Sequence, residues 1–551
     1  MSGGHSPLTT TRRLGPGEVQ RTGSLAQYRS IEIIAGEPHL VRADLGAADI
    51  PARASRRLLL SLVHLTDMQL ADVQSPTRFE FLNRQFADPR YAAIVPVQRP
   101  QEALNAHAVD VMLRTVNACR GPATGAPPQL AVTTGDAIDN AQWNEVQAFL
   151  ALFDGGQVAM NSGGPTYQGV QSLDWPDDIF WKPDGIAVGG PDLFRAAFGF
   201  PHQPGLLRRA IAEFTAPGLQ IPWLSCFGNH EALNQGVGAV AADLAAAMVG
   251  GSKPWALPDD FDHDRALELF TLRPEAFLAG PSISVAADAS RRPVTRQGFV
   301  AAHHRPGARP DGHGFTERNR LDGTAYYAYD TAAIRLIALD TNCLTGGSAG
   351  CLDYDQARWL EERLAEVHSA YRDATGNTIR TSNDDRLVVI FSHHGIDSLV
   401  HPLISHTGPD GQPALGGDAV RALLHRFPNV VLWLNGHTHL NAVRPWRRPD
   451  DPARGFWEVT TSSIVDWPCQ ARLVEVVEIG GQLSIICTMI DHDSPTGPGS
   501  LQSGRQIAAL HRELAANVPF AGMESTRPGT PADRNVELRV TAPFPLARLG
   551  P

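Results

Sequence analysis

The chain has 551 residues, a formal charge of −11, and is 43% hydrophobic and 19% charged, the balance of a soluble globular protein long enough for two to four domains or one large core with insertions. The acidic excess argues against a general nucleic-acid or anionic-membrane binder. No apolar run approaches the roughly 20 residues of a membrane span, and none of the six cysteines sits in a CxxC pair, which excludes zinc-finger and thioredoxin readings.

Residues 1–57 read as a polar arm or peripheral strands. Arg12-Arg13 is followed by Leu14-Gly15-Pro16-Gly17 rather than an apolar segment, which argues against a twin-Arg export signal. Residues 57–67 form an apolar run ending in Asp67, a buried strand closed by an acid. Residues 101–119 have helical spacing, with Leu104, Ala108, Val111 and Met112 on one face. Residues 130–136 are again strand, then acid, and 144–153 again helix. Residues 155–218, rich in Gly, Pro, Trp and Asp, read as an insertion, a candidate lid, with periodicity only at 206–214. Residues 221–229 return to the core. A second insertion, 232–323, is expected to hold an Ala-rich helix and then an Arg/His/Gly-rich loop over 291–320.

Residues 324–330 and 334–340 read as a strand pair. Asp353-Tyr354-Asp355-Gln356 has capping-box spacing and opens a helix whose buried face is Leu360, Leu364 and Val367. The runs 386–392 and 429–435 are further strands, and 456–460, 472–477 and 483–489 complete a β-rich tail. Past Asp491 the Pro, Gly and Ser content rises, so 491–551 is expected to be a loosely packed extension. Cys343 and Cys351 flank a Gly-rich loop. They can pair, but reduced thiols are the expectation, and a cytoplasmic setting the default.

Five apolar strands thus end in residues that ligate metals: Asp67, Asp136, Asn229-His230, His393-His394, and His437 with His439. Ligands of open α/β sheets collect at the carboxyl ends of strands. If the backbone stays extended, His437 and His439 share a face. A mixture of carboxylate, amide oxygen and imidazole suits Mn, Fe or Zn. The set is large enough for two ions, which at about 3.5–4 Å apart can clamp a phosphate and activate a water. Any one motif alone is a turn or a satisfied histidine; all five in order are not.

The ordered motifs Asp67-Met68-Gln69, Gly135-Asp136-Ala137-Ile138-Asp139, Gly228-Asn229-His230-Glu231, His393 and Gly436-His437-Thr438-His439 resemble the calcineurin-like metallophosphoesterase superfamily, over residues 58 to about 490. Within it the chain looks like a bacterial, largely actinobacterial branch. The resemblance implies an α/β fold, a four-layer α/β/β/α sandwich with two large insertions, and a dinuclear metal centre. It also implies a phosphodiester or phosphomonoester substrate of small or medium size, attacked by a metal-bound hydroxide without a covalent intermediate. Carried over residue by residue, Asp136 bridges two ions; Asp67 and His439 complete one site, and Asn229, His393 and His437 the other. His230 sits beside the phosphate as stabiliser or proton donor. Asp139 and Glu231 orient ligands, or serve a helix N-terminus.

The departure is Gln69, where the superfamily has His. Its amide oxygen can ligate but is neutral and harder than imidazole, so the first site is expected to be weaker or to favour Mn or Mg. His64 lies three residues back, on the opposite face of the strand, and cannot stand in. His394 is expected to point away from His393. Lesser candidates are His303, His304 and His313 with Arg305 and Arg309 as a phosphate pocket, His401 and His406 beside the His393 loop, and Tyr167, Trp175 and Trp181 as a roof. Asp340 ends a strand and is a candidate orienting acid; Asp466-Trp467 in the β-tail can line the pocket or merely pack. Two other functions stay open: a non-catalytic scaffold, motivated by Gln69, and a nuclease, which the acidic charge disfavours and which salt-sensitive DNA binding would revive.

Overall fold

The computed structural model describes residues 6–45, 55–401 and 414–549; His406 lies outside them. The chain is mixed α/β and is built on two large sheets. The first holds seven strands: β3 (Leu40–Leu45), β4 (Arg56–Leu65), β5 (Leu130–Thr133), β6 (Trp223–Leu224), β13 (Gln470–Ile479), β14 (Gln482–Asp491) and β15 (Val536–Val540). Their order in space is β3-β15-β14-β13-β4-β5-β6, with β4, β5 and β6 parallel. The second holds six: β7 (Tyr327–Asp330), β8 (Ile334–Leu339), β9 (Leu387–Ser392), β10 (Val430–Asn435), β11 (Ala442–Arg447) and β12 (Gly455–Thr460). Their order is β7-β8-β9-β10-β12-β11, with β8, β9, β10 and β12 parallel. Ahead of both sheets, β1 (Arg12–Thr22) and β2 (Gln27–Ala35) pair as a hairpin.

Alternation along β9 shows how the layers meet. Leu387, Val389 and Phe391 join one core cluster with Leu62 and Val63 of the first sheet. Val388 and Ile390 face the other way, into a second cluster with α5 (Tyr354–Ala365) and α6 (Gly417–His425). Strands buried on both faces lose the polar/apolar alternation of a half-exposed strand, which is why 430–434 reads as an unbroken apolar run and 58–65 as one broken only by Ser61 and His64. Helices α1 (Asn105–Ala118) and α2 (Trp143–Asp154) pack into the first cluster. No helix among the described residues is long and apolar enough to cross a membrane.

Several expectations are corrected. The C-terminal residues are not loosely packed: α7 (Gly504–Asn517) is buried from Ile507 to Ala516, and β15 is the strand between β3 and β14. The Pro- and Gly-rich segments around them masked both. The stretch 291–320 is not loop throughout, since it contains α3 (Arg296–His303) and α4 (Glu317–Asp322). Residues 155–218 do not form a free lid. Trp181, Phe194, Phe200 and Leu206 pack on Tyr28 and on Leu510 and Leu514 of α7. Asp353 does cap α5, accepting from the Gln356 N–H at 2.7 Å, but the Gln356 carboxamide turns to the Asp340 backbone instead of closing a reciprocal box. Cys343 and Cys351 are joined in a disulfide, not reduced, which removes the thiol argument behind a cytoplasmic setting.

Candidate metal centre

The two sheets bring their parallel strand ends together. Past β4 and β5, residues 67–70 and 135–138 run side by side: Asp67 N–H donates to Gly135 O at 3.2 Å, and Gln69 N–H to Asp136 O at 2.8 Å. From the other sheet, Gly436 N–H donates to His393 O at 3.1 Å, and His437 N–H to Asp67 Oδ2 at 3.1 Å. Gly436 is required at this crossing, because a Cβ there would strike Thr66 Oγ1 and Asp67 Oδ2.

Five of the expected ligands, Asp67, Gln69, Asp136, His437 and His439, have φ between 42° and 68°, the left-handed region that costs a non-glycine residue of order 1–3 kcal/mol. This corrects the extended geometry expected for His437 and His439. The strand stops at Asn435, and the two rings are aimed by left-handed turns rather than by strand alternation. Such strain persists only where surrounding contacts enforce it.

Asp136 is the hub. Its Oδ2 lies 3.1 Å from His393 Nε2 and 3.7 Å from His230 Nε2, and its Oδ1 accepts the His230 N–H at 2.9 Å. His393 Nδ1 donates to Thr134 O at 2.8 Å, which turns Nε2 inward, 3.2 Å from His437 Nδ1. His439 Nε2 lies 3.3 Å from Asp67 Oδ1 while its Nδ1 meets Asp466 Oδ2 at 2.7 Å. A carboxylate behind a histidine in this way fixes both tautomer and ring. One donor atom each from Asp67, Asp136 and His393 falls within 4.8 Å of the others.

Electrostatics follow from crowding acids and imidazoles in a buried space. Burial alone pulls the His393 and His230 pKa values down, but Asp136, joined at His230 by Asp139, outweighs it, and both stand raised to about 9 in the metal-free chain. His437 goes the other way, lowered to about 3 by burial and by the neighbouring His393. Burial raises Asp136, yet the two imidazoles hold it below the usual carboxylate range.

The residues fit a metal site. Asp67 Oδ1, Gln69 Oε1 and Asn229 Oδ1 are buried with no hydrogen-bond donor, and a buried acceptor without a partner costs about 1–3 kcal/mol. Oxygens of this kind, with the cluster of Asp67, Asp136 and His393, are donors that could hold a cation. Gln69 contributes doubly, since its Nε2 lies 3.2 Å from His230 Nε2 while its oxygen stays free.

Glu231 and Asp139 support this core from behind. The Glu231 carboxylate accepts four backbone N–H groups: Asp136 at 2.9, Ala137 at 2.6, Ile138 at 3.3 and Gly228 at 2.7 Å. Burial and the Asp136 charge push its pKa up to about 7. Asp139 Oδ1 lies 3.1 Å from His230 Nδ1, and its other oxygen pairs with the fully buried Arg78.

His394 departs from expectation. Its ring lies 4.4 Å from that of His437, not on a far face, because the strand ends at Ser392. Both its nitrogens are engaged elsewhere, with Thr341 Oγ1 at 2.8 Å and Ser348 O at 2.9 Å.

The lesser candidates separate from the centre. His313 stacks on Trp223 and pairs with Asp154 at 2.9 Å, and His303 bonds Phe299 O; these rings pack the core rather than line a phosphate pocket. Arg305 faces Asp154, Arg309 bonds Leu219 O, and the His304 ring lies 3.8 Å from Asp311. Tyr167, Trp175 and Trp181 are buried within the first insertion and its neighbours. His401 holds Gly346 O, and Asp340 holds Arg296. The residues that sequence reasoning did not assign are Arg78, Arg99 and Arg527. Arg99 and Arg527 both pair with Asp466, and no local pattern marks any of the three.

No protein-family model matches the chain, and no curated protein matches it. Among solved structures it is similar to the crystal structure of a dimetal phosphatase from Danio rerio, at 11% identity and a TM-score of 0.31, over 79% of this chain and 100% of that one. At that score the likeness carries no argument about fold or activity.

Proposed function

We propose that the chain is a metal-dependent phosphoester hydrolase with a dinuclear centre, in the four-layer sandwich of the calcineurin-like superfamily. The observation that carries the reading is the set of buried oxygens of Asp67, Gln69 and Asn229 that accept no hydrogen bond, together with His393 on Asp136, His437 on His393 and His439 on Asp67. Asp67, Gln69 and His439 would hold one ion, and Asn229, His393 and His437 the other, with Asp136 shared. Bound there, two ions would neutralise a phosphate and lower the pKa of a bound water toward neutrality. Oxygen from Gln69 in place of nitrogen makes the first position harder, which favours Mn or Mg there.

The chain's own groups do the rest. His230 is more open than His393 or His439, with 15% of its side chain exposed against 0% and 7%, so among these imidazoles it is the one a substrate reaches most readily. Asp139 at Nδ1 fixes its ring; Nε2, which now faces Gln69 Nε2 at 3.2 Å and Asp136 Oδ2 at 3.7 Å, would hold a proton for the leaving oxygen once Gln69 turns to an ion. A small or medium phosphomonoester or phosphodiester is the substrate class. A scaffold that had lost its ions is disfavoured, because the buried Gln69 and Asn229 oxygens accept no hydrogen bond.

The test is His230→Ala on protein loaded with Mn, assayed with p-nitrophenyl phosphate and bis-p-nitrophenyl phosphate. Turnover should fall about 100-fold or more with metal content unchanged, and the ratio of the two substrates would set the ester class. Undiminished turnover in the variant would refute the role of His230, and inert, metal-loaded wild-type protein would favour the scaffold.

A further inference from the structure

Five fully buried side chains form one hydrogen-bonded line that ends on Asp67. Arg472 Nε donates to Thr461 Oγ1 at 3.0 Å; Thr461 Oγ1 lies 2.9 Å from His64 Nδ1; His64 Nε2 lies 2.8 Å from Thr134 Oγ1. Thr134 then donates to Thr66 Oγ1 at 2.7 Å, and Thr66 to Asp67 Oδ2 at 2.6 Å. All five are 0% exposed.

The direction of every bond follows from the Asp67 end. A guanidinium only donates and a carboxylate only accepts. Arg472 donates into Thr461, whose hydroxyl can still either donate to His64 Nδ1 or accept from it. From the other end, Thr66 donates to Asp67 and Thr134 to Thr66, so Thr134 must accept from His64 Nε2–H. In a neutral imidazole Nδ1 is then the acceptor, and the Thr461 hydroxyl donates to it. Burial and Arg472 lower the His64 pKa to about 3, in keeping with that neutrality. Bonds aligned head to tail in a low-dielectric interior polarise one another.

We infer that His64, Thr134 and Thr66 are positioning residues, a one-way relay that locks Asp67 Oδ2 and leaves Oδ1 free for a metal ion; this rests on the metal-centre reading above. The relay also joins the two sheets, since Arg472 and His64 sit opposite each other on β13 and β4, whereas Thr461 follows β12 of the other sheet. Arg472 is itself anchored by Asn441 Oδ1 at 3.0 Å and by the carbonyls of Asp533 and Arg534 at 2.9 Å. The C-terminal segment thus connects to a first-motif ligand.

The experiment is a calorimetric titration of metal-free full-length protein with Mn(II), for wild type, Thr66→Val, His64→Leu and His64→Gln. Thr66→Val keeps the side-chain shape and removes the last donor; His64→Gln keeps one donor and one acceptor. The relay predicts that Thr66→Val and His64→Leu weaken one of two Mn sites about 10–100-fold and spare the other, while His64→Gln stays within about threefold of wild type. A merely structural role would lower melting temperature without selecting one site, so two unchanged affinities in Thr66→Val overturn the relay. Equal weakening of both sites in His64→Leu, with no rescue in His64→Gln, overturns it as well. Wild-type protein that binds no ion overturns the metal reading and the relay together, an outcome distinct from the other two.

Discussion

Glu231→Gln is the sharpest perturbation of the site's framework. In the native chain Oε1 accepts Ala137 and Ile138 N–H, and Oε2 accepts Asp136 and Gly228 N–H. A carboxamide has the same shape but one oxygen, so in either orientation its NH2 faces two buried N–H groups. Each orphaned buried donor costs about 1–3 kcal/mol, giving about 2–6 kcal/mol for two. Against a total stability of about 5–15 kcal/mol, the variant should fold yet unfold at clearly lower urea, read by tryptophan fluorescence. Because the strained Asp136 turn (φ 51°) is held by those bonds, metal uptake should fall with stability. A variant with wild-type urea midpoint and full metal content would refute the reasoning that Glu231 holds the turn.

Three further outcomes follow from the same geometry. Asp466→Asn should free the His439 ring and weaken metal binding about 10–100-fold, measured by competition with a chelator; unchanged affinity would mean that the 2.7 Å contact to His439 does not orient it. Metal uptake at pH 7 should release protons, because His393 holds one beside Asp136 with its pKa raised to about 9 and must lose it to ligate. Calorimetry in buffers of different ionisation enthalpy reads this release, which should vanish above pH 9. Metal-free protein should lose stability across the same range. The folded pKa values of His230 and His393, about 9, stand above the usual 6.5, so their contribution is complete below about 6.5 and is lost as pH rises through 9. Melting temperature against pH, with and without metal, tests it; a flat metal-free profile would contradict it.

How far the molecule was legible depended on whether the signal was local. The runs at 60–65, 387–391 and 430–434 sit in strands buried on both faces, and such burial writes itself as largely apolar sequence. The ligand-type residues sit at the ends of those runs, so motif order alone pointed to Asp67, Asp136, Asn229, His393, His437 and His439, and contacts link five of them: Asp136 to His393, His393 to His437, and His437 and His439 to Asp67. Contacts between distant segments left no such trace. Asp466 reaches His439 from 27 positions along the chain, and Arg527 comes from the segment that composition marked as loose. The left-handed φ of His437 and His439 was hidden for another reason. Backbone strain at a non-glycine is enforced by tertiary contacts such as the His437 N–H bond to Asp67, not by local preference. His64 shows the same limit. Its place on the strand rightly excluded it as a ligand, yet only the folded chain joins it to Asp67 through two threonines.

The most direct measurement titrates metal-stripped protein with Mn(II) while following both bound metal and hydrolysis of the two p-nitrophenyl esters. The account predicts no turnover without metal and a rate that rises to saturation at about two ions per chain, with uptake impaired in His393→Ala. Metal-independent turnover, or folded protein that takes up no ion at all, would contradict it.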